Sequence, residues 1–239
     1  MQLTVLGMNG PFPAPGGATS GYLLTAGETR VQLDLGSGTL SGLTELTAPE
    51  ELTALMLSHW HYDHCSDVLP LIFRLEALAK SPLHVYAPVD ETSPVRQAVR
   101  GCAKMVLHDV APGDRIVLGE VEVSVHQARH PVPAVMYRLT AEGRSLCYTG
   151  DTNTVDGLEA FAKGADLLLA DGLFPEKVWS EDKPHLSAVL AASLARDAQT
   201  GRLVITHLNP LMDPVGLIAE ARAIRPDVIR ARRGDVYIL

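Results

Sequence analysis

Residues 59–64 read His59-Trp60-His61-Tyr62-Asp63-His64, three imidazoles and a carboxylate within six positions. They follow Leu52 to Leu57, a continuous apolar run ending at Ser58, which reads as a strand buried on both faces. In an extended segment, alternation points His59 and His61 to one side, while Asp63 and His64 can turn toward a second point nearby. That division suits two metal ions. Imidazole nitrogen and carboxylate oxygen are ligands that zinc, manganese and iron accept, and catalytic sites keep one position open for water.

Further from this cluster, three more ligand types follow apolar, strand-like runs: His130 in Ala-Arg-His-Pro, Asp151 in Tyr-Thr-Gly-Asp-Thr and His207 in Ile-Thr-His-Leu. A lone histidine after a strand is more often structural than a ligand. Seven such residues at strand ends are a different matter, because in a sandwich all of them can converge on one edge.

The rest of the pattern supports that architecture. Short β-rich runs at Leu3 to Leu6, Tyr22 to Thr25 and Val31 to Leu35 are separated by Gly- and Pro-rich turns, with a long turn at Pro11 to Gly17. Helical spacing is expected over Val68 to Ala79, Val95 to Ala103, Gly157 to Ala162, Leu186 to Ala198 and Val215 to Ile224. Strands are expected at Leu83 to Tyr86, Val121 to Val125, Val135 to Leu139, Leu146 to Tyr148, Leu167 to Ala170 and Leu203 to Thr206. The two halves share a texture without a strict repeat, and no linker divides them. The reading is one α/β domain over residues 1–239, a four-layer αββα sandwich.

Composition narrows the partners. Of 239 residues, 46% are hydrophobic, enough for a sizeable core, and 20% are charged. A net charge of −8 repels a phosphate backbone unless basic residues cluster locally, and counts against long nucleic acids. Met1 to Gly10 lacks the form of a secretory signal, and no apolar run approaches the roughly 20 residues of a membrane helix. Cys65, Cys102 and Cys147 make no even disulfide framework. A cytoplasmic protein with no membrane partner is expected.

His-x-His-x-Asp-His, a later His, Gly-Asp-Thr and a final Thr-His together resemble the ligand set of the metallo-β-lactamase superfamily, across nearly the whole chain. Thr19 to Leu24, Leu33 to Thr39 and Pro184-His185-Leu186-Ser187-Ala188 are similar to segments of its ribonuclease Z-like phosphodiesterase branch. The resemblance implies one ion on His59, His61 and His130, a second on Asp63, His64 and His207, and Asp151 bridging them. The ions would be zinc, with manganese or iron as alternatives. It also makes Asp63 and His185 the catalytic candidates. Two such ions would lower the pKa of a shared water toward neutrality, the nucleophile for phosphorus. A small anionic phosphodiester, such as a cyclic nucleotide, is the expected substrate, and a homodimer is compatible with the resemblance.

The sequence departs from that branch in two places. The tRNA-clamping arm would lie between the positions of His130 and Asp151, where roughly 20 residues leave room for a hairpin. Asp171-Gly172-Leu173-Phe174 stands where the family has His-Glu-Ala-Thr, so Asp171 is left out of the site. True β-lactamases of this fold usually have cysteine at the bridging position, and this chain has Asp151. A thioesterase or lactonase on the same metals is the rival enzyme, and a non-catalytic metal-stabilised binding protein the non-enzymatic one. The Pro184-to-Ala188 motif favours phosphodiesters.

Several residues carry plainer readings beside the functional ones. His185 precedes the helical segment from Leu186, where free N–H groups favour an anion, or it merely begins that helix. Asp34 either forms a turn before Gly36 or hydrogen-bonds near the metals. Arg129 either meets an anionic substrate or is solvated. Cys65 is expected to pack inertly, Trp60 and Tyr62 to pack or line the cleft, and His84, His108 and His126 to be ordinary surface or structural histidines.

Overall fold

The computed structural model describes residues 1–239. Its strands in chain order are β1 (Gln2–Gly7), β2 (Gly21–Ala26), β3 (Thr29–Leu35), β4 (Ala54–Met56), β5 (Leu83–Pro88), β6 (Met105–Val110), β7 (Arg115–Leu118), β8 (Val121–Gln127), β9 (Val135–Ala141), β10 (Arg144–Tyr148), β11 (Leu167–Asp171), β12 (Arg202–Thr206), β13 (Ile229–Arg230) and β14 (Val236–Ile238). The helices are α1 (Thr39–Leu46), α2 (Tyr62–Cys65), α3 (Val68–Leu78), α4 (Pro94–Gly101), α5 (Leu158–Ala162), α6 (Ala188–Asp197) and α7 (Pro214–Ile224).

The strands form two seven-stranded sheets, ordered β14-β1-β2-β3-β4-β5-β6 and β13-β12-β11-β10-β9-β8-β7. Each sheet passes from an antiparallel part into a parallel one. In the first, β1, β2 and β3 pair antiparallel and β3 to β6 parallel. In the second, β8, β9 and β10 pair antiparallel and β10 to β13 parallel. The similar texture of the two halves is therefore a repeated strand plan, although their sequences do not repeat.

Side-chain alternation builds the layers. On β11, Leu167 and Leu169 enter the core between the sheets, whereas Leu168 and Ala170 pack under the helices outside. On β12, Val204 faces inward while Leu203 and Ile205 face the helices. On β4, Ala54 and Met56 face the opposite sheet while Leu55 packs against the outer helices with Leu71 and Leu75 of α3. A period of two with both faces apolar is what a covered parallel strand needs, and three apolar clusters stacked this way make the αββα sandwich.

The expected strand over Leu52 to Leu57 is shorter in the structure. Residues 49–51 form a 3-10 turn started by Pro49, and only Ala54–Met56 pair as a strand. The 130–151 interval contains the β9–β10 hairpin and no arm. Its turn places Glu142 (φ 55°) and Gly143 (φ 68°) in the left-handed region, the geometry of a two-residue hairpin loop. No helix is long and apolar enough to cross a membrane. All three cysteines are buried and unpaired.

Candidate metal centre

The carboxyl ends of the central strands meet at one edge of the sandwich. His59 and His61 follow β4, Asp151 follows β10, Asp171 ends β11 and His207 follows β12. Asp63 and His64 lie on the single turn of α2, so the second half of the motif curls into a helix instead of remaining extended. His130 comes from the loop between β8 and β9. Three overlapping groups of ligand atoms result: His59, His61, His130 and Asp151, then Asp63, His64, Asp151 and His207, and a third of Asp151, Asp171, His185 and His207 that adjoins the second. Asp151 belongs to all of them.

Distances within the groups fit bound cations. An imidazole nitrogen sits about 2.0–2.1 Å from zinc, so two ligands of one tetrahedral ion stand about 3.3 Å apart. His61 Nδ1 is 3.1 Å from both His59 Nε2 and His130 Nε2. His207 Nε2 is 3.1 Å from Asp63 Oδ2 and 3.3 Å from Asp151 Oδ2, and His64 Nε2 is 3.2 Å from Asp151 Oδ1. Within the protein, the buried atoms His64 Nε2 and Asp151 Oδ1 have no hydrogen-bond partner. Orphaned buried polar atoms are costly, and a cation between these two would satisfy both.

Outer partners fix which ring nitrogen faces inward. His130 Nδ1 donates to the carbonyl of Pro184 at 3.1 Å, leaving the Nε2 lone pair for the cluster. Ser58 Oγ donates to Asp34 Oδ2 at 2.8 Å, so it accepts from His59 Nδ1 at 3.0 Å, and His59 Nε2 likewise turns inward as an acceptor. His64 Nδ1 donates to Asp34 Oδ2 at 2.7 Å. Three imidazoles are thus held with lone pairs converging, the orientation metal-ligating histidines require.

Asp34 is the hub of this outer layer. It is fully buried at the end of β3 and also accepts from Ser58 N at 2.6 Å and Tyr148 OH at 2.5 Å. The structure therefore favours the hydrogen-bonding reading of Asp34 over the turn-forming one. Asp34 (φ 50°) and His207 (φ 56°) both lie in the left-handed region, which costs about 1–3 kcal/mol per non-glycine residue and recurs at functional sites. Gly150 (φ 52°) precedes Asp151, and a Cβ there would stand 2.6 Å from that of Ser58. Glycine lets the strand end come this close.

Electrostatics points the same way. Burial pushes the His64 imidazolium down, but Asp151, Asp63 and Asp34 around it outweigh this and raise it well above its ordinary value. His59, with weaker carboxylate neighbours, is lowered well below its usual range by burial and by His64. Burial likewise lowers His130 to about 4. The carboxylates at this edge call for positive charge, while the imidazoles of the first group stay neutral and ready to ligate.

Asp171 corrects the sequence-based exclusion. Its Oδ2 lies 2.7 Å from His185 Nδ1, and its Oδ1 lies 3.9 Å from His207 Nδ1. Thr152 N at 3.3 Å and Leu173 N at 3.1 Å donate to the same carboxylate. The misaligned motif hid it, because the residue that matters is the last of a buried strand whatever surrounds it. Ser58 and Tyr148 were also missed: Ser58 adjoins the motif, and nothing in the sequence marks Tyr148.

His185 differs from expectation in its surroundings. α6 begins at Ala188 with Ser187 as its cap, accepting from Leu190 N at 3.0 Å. His185 lies two residues before that cap, so its ring is held by Asp171 and not by the helix end. The ring stacks on His207 at 4.8 Å and is 5.3 Å from that of His130. Burial opposes its charge, but Asp171 and Asp151 raise it to about 9.

Other candidates settle elsewhere. The Arg129 guanidinium is spent on the carbonyls of Thr154 and Glu181 and ties down the 180–184 loop, with Asn153 bonded to the Lys183 carbonyl at 2.6 Å. Cys65 donates to the Trp60 carbonyl at 3.3 Å, and burial, then Asp34 and Asp63, raise its thiol. Trp60 is buried, with Nε1 donating to the Pro88 carbonyl, and Tyr62 is exposed. His126 packs on Phe161 at 4.9 Å. His84 and His108, unrelated in spacing, meet across β5 and β6 with nitrogens 2.8 Å apart.

Comparison with known proteins places this geometry in a family. A model of the β-lactamase superfamily domain matches residues 29–208. The chain is 32% identical over 243 residues to the probable metallo-hydrolase YhfI of Bacillus subtilis, covering 99% of each chain. The crystal structure of YhfI, a metallo-β-lactamase fold protein, superposes with a TM-score of 0.92 at 29% identity, again over 99% of each. The chain is also 26% identical to ribonuclease Z of Methanopyrus kandleri, covering 98% of this chain and 96% of the relative. The short form of human tRNase Z shares the fold at a TM-score of 0.81 and 20% identity, over 100% and 99% of the chains.

Proposed function

This chain belongs to the β-lactamase superfamily, and from that premise we propose that it is a dinuclear metal-dependent phosphodiesterase acting on a cyclic nucleotide or another small phosphodiester. Its relatives include a probable metallo-hydrolase and ribonuclease Z enzymes, so metal-dependent hydrolysis is the common ground. The observation that carries the finer reading is the His185–Asp171 pair, 2.7 Å apart and beside the ligand cluster.

Two divalent ions, zinc suiting this imidazole-rich set best and manganese or iron next, would supply an activated water and a clamp for the non-bridging phosphoryl oxygen. His59, His61 and His130 would hold one, Asp63, His64 and His207 the other, with Asp151 shared. The remaining work falls to the chain. Asp171 accepts the Nδ1 proton of His185 and fixes the ring, so that Nε2, which makes no hydrogen bond within the protein, is left for substrate. A proton on that Nε2 would pass to the departing oxygen, or would bind a phosphoryl oxygen as charge builds. Asp63, whose Oδ2 lies 3.1 Å from His207 Nε2, would orient the attacking water from its place in the second group of ligands.

Size supports a small substrate. The hollow that borders His61 is about 200 Å³ and is lined by Trp60, Tyr62, Asp90, Thr92 and Val132. The exposed Tyr62 ring and Val132 offer flat apolar surface for a nucleobase-sized group, and Asp90 and Thr92 offer polar atoms for its edge. Only a hairpin lies between His130 and Asp151, where an arm that grips tRNA would be expected, and a net charge of −8 works against a long phosphate backbone. Metal-loaded protein offered bis(p-nitrophenyl) phosphate, a lactone and a thioester should turn over the diester fastest. Faster cleavage of either carbonyl substrate would move the chain to the thioesterase and lactonase class, and no turnover of any would favour a binding role.

A further inference from the structure

Six arginines, at positions 74, 96, 100, 144, 196 and 225, lie within 4 Å of a carboxylate, as Arg144 does with Asp166 at 2.8 Å. The other nine do not, and three of these, Arg222, Arg230 and Arg232, line one groove. It consists of two adjoining hollows of about 300 and 190 Å³ that share all three residues. One hollow reaches β14 at Val236 and Tyr237, and the other runs along α7 past Val215 and Ile218.

The guanidinium groups are largely unspent. Arg222 donates from Nε to the Val228 carbonyl at 3.0 Å, and the side chains of Arg230 and Arg232 donate to no protein acceptor. Asp235, the one acid in the lining, is occupied: Oδ2 accepts from the Arg232 backbone N–H at 3.0 Å and from Tyr237 OH at 2.9 Å. Three like charges around one concavity repel each other, in a chain whose net charge is −8. An anion relieves that repulsion. Arginine is suited to the task because its planar fork meets phosphate oxygens in pairs.

The groove is separate from the metal centre, though Arg232 and His207 lie beyond the same end of neighbouring strands. β13 runs parallel to β12 with Arg230 level with Ile205, so Arg232 leaves its strand in the direction in which His207 leaves β12. None of its lining residues is a candidate ligand. We propose that this groove is a second anion site, built for a compact, multiply charged phosphate: a small molecule with adjacent phosphoryl groups. Apolar walls at Ile229, Tyr237 and Ile218 accommodate the rest of such a molecule.

Calorimetric titration of the metal-loaded full-length chain with inorganic pyrophosphate, at about 0.15 M salt, tests this. Two classes of site are expected, one lost in Asp151→Ala and the other in the double variant Arg230→Glu with Arg232→Glu, which should keep its melting temperature and metal content. Arg222→Glu should weaken the second class by about tenfold or more, the scale of one charge-assisted hydrogen bond. A parent isotherm wholly abolished by Asp151→Ala, or one unchanged in the arginine variants, overturns the proposal. A short RNA oligonucleotide bound more tightly than pyrophosphate, and released by the same arginine changes, overturns the assignment to a compact anion.

Discussion

Asp34 Oδ2 stands 2.7 Å from His64 Nδ1, and the same carboxylate takes both donors of Ser58 and the hydroxyl of Tyr148. It thereby ties β3, the strand end before the motif and β10 to one candidate metal ligand. Asp34→Asn keeps the shape but cannot accept all these bonds. It should lower metal affinity or turnover by about 10- to 100-fold, the usual consequence of losing a ligand's outer partner. Asp34→Ala should also destabilise the fold, because each buried donor left unpaired costs about 1–3 kcal/mol. Metal content and melting temperature measured on both variants check this, and unchanged metal binding in Asp34→Ala would contradict it.

Gly10 touches the centre from the opposite side. A Cβ at this position would stand 2.0 Å from Nε2 of His207, the atom that faces Asp63 and Asp151. Gly10→Ala should displace that imidazole and reduce metal occupancy and turnover severely. Gly101→Ala, where a Cβ meets nothing within 4 Å, is the control and should be nearly silent. Full occupancy in Gly10→Ala would mean that His207 is not a ligand.

His185 and Asp171 should behave as a unit. His185→Ala should leave metal content and melting temperature nearly unchanged while lowering diester turnover by about 10² or more, and Asp171→Asn should lower it in the same direction. Combining the two should cost little beyond the larger single loss, since partners in one interaction are not additive. With p-nitrophenolate, which departs without a proton, the loss should be smaller than with an alkoxide. Equal losses on both leaving groups would make His185 a phosphate binder.

His126 supplies a pH signature away from the centre. Burial against Phe161, then Arg138 and Arg115, lower its pKa from the ordinary 6.5. Below about pH 6.5 the unfolded chain therefore takes up a proton that the folded chain refuses. Its contribution to stability is full above that pH and is lost as pH falls toward the depressed folded value. His126→Phe should flatten the fall of melting temperature below pH 6.5 relative to the parent. An identical pH slope in the two proteins would rule the effect out.

Much of this was legible because the informative residues are consecutive or sit at strand ends. His59 to His64 announce themselves by spacing, and the short apolar runs Leu167 to Ala170 and Leu203 to Ile205 fit strands covered on both faces. Other elements give weaker signals. β6 reads Met-Val-Leu-His-Asp-Val, an edge strand whose exposed Val106 and Asp109 break a clean alternation, and α1 starts behind Gly38 with no side-chain cap. Asp171 was hidden for a different reason: its role depends on where β11 ends in space, and its neighbours Gly172 and Leu173 do not repeat the family motif. His84 and His108 became neighbours only through the register of two parallel strands.

Seven residues at one edge of the sandwich are proposed to hold two divalent ions, with Asp151 common to both. Elemental analysis of protein purified without chelator, beside Asp151→Ala, tests this most directly. The account predicts about two ions per chain in the parent and a clear loss of occupancy in the variant, whereas Cys65→Ser should match the parent. A parent that contains no stoichiometric metal and cannot be reconstituted with zinc, manganese or iron, or an Asp151→Ala protein that keeps both ions, would contradict it.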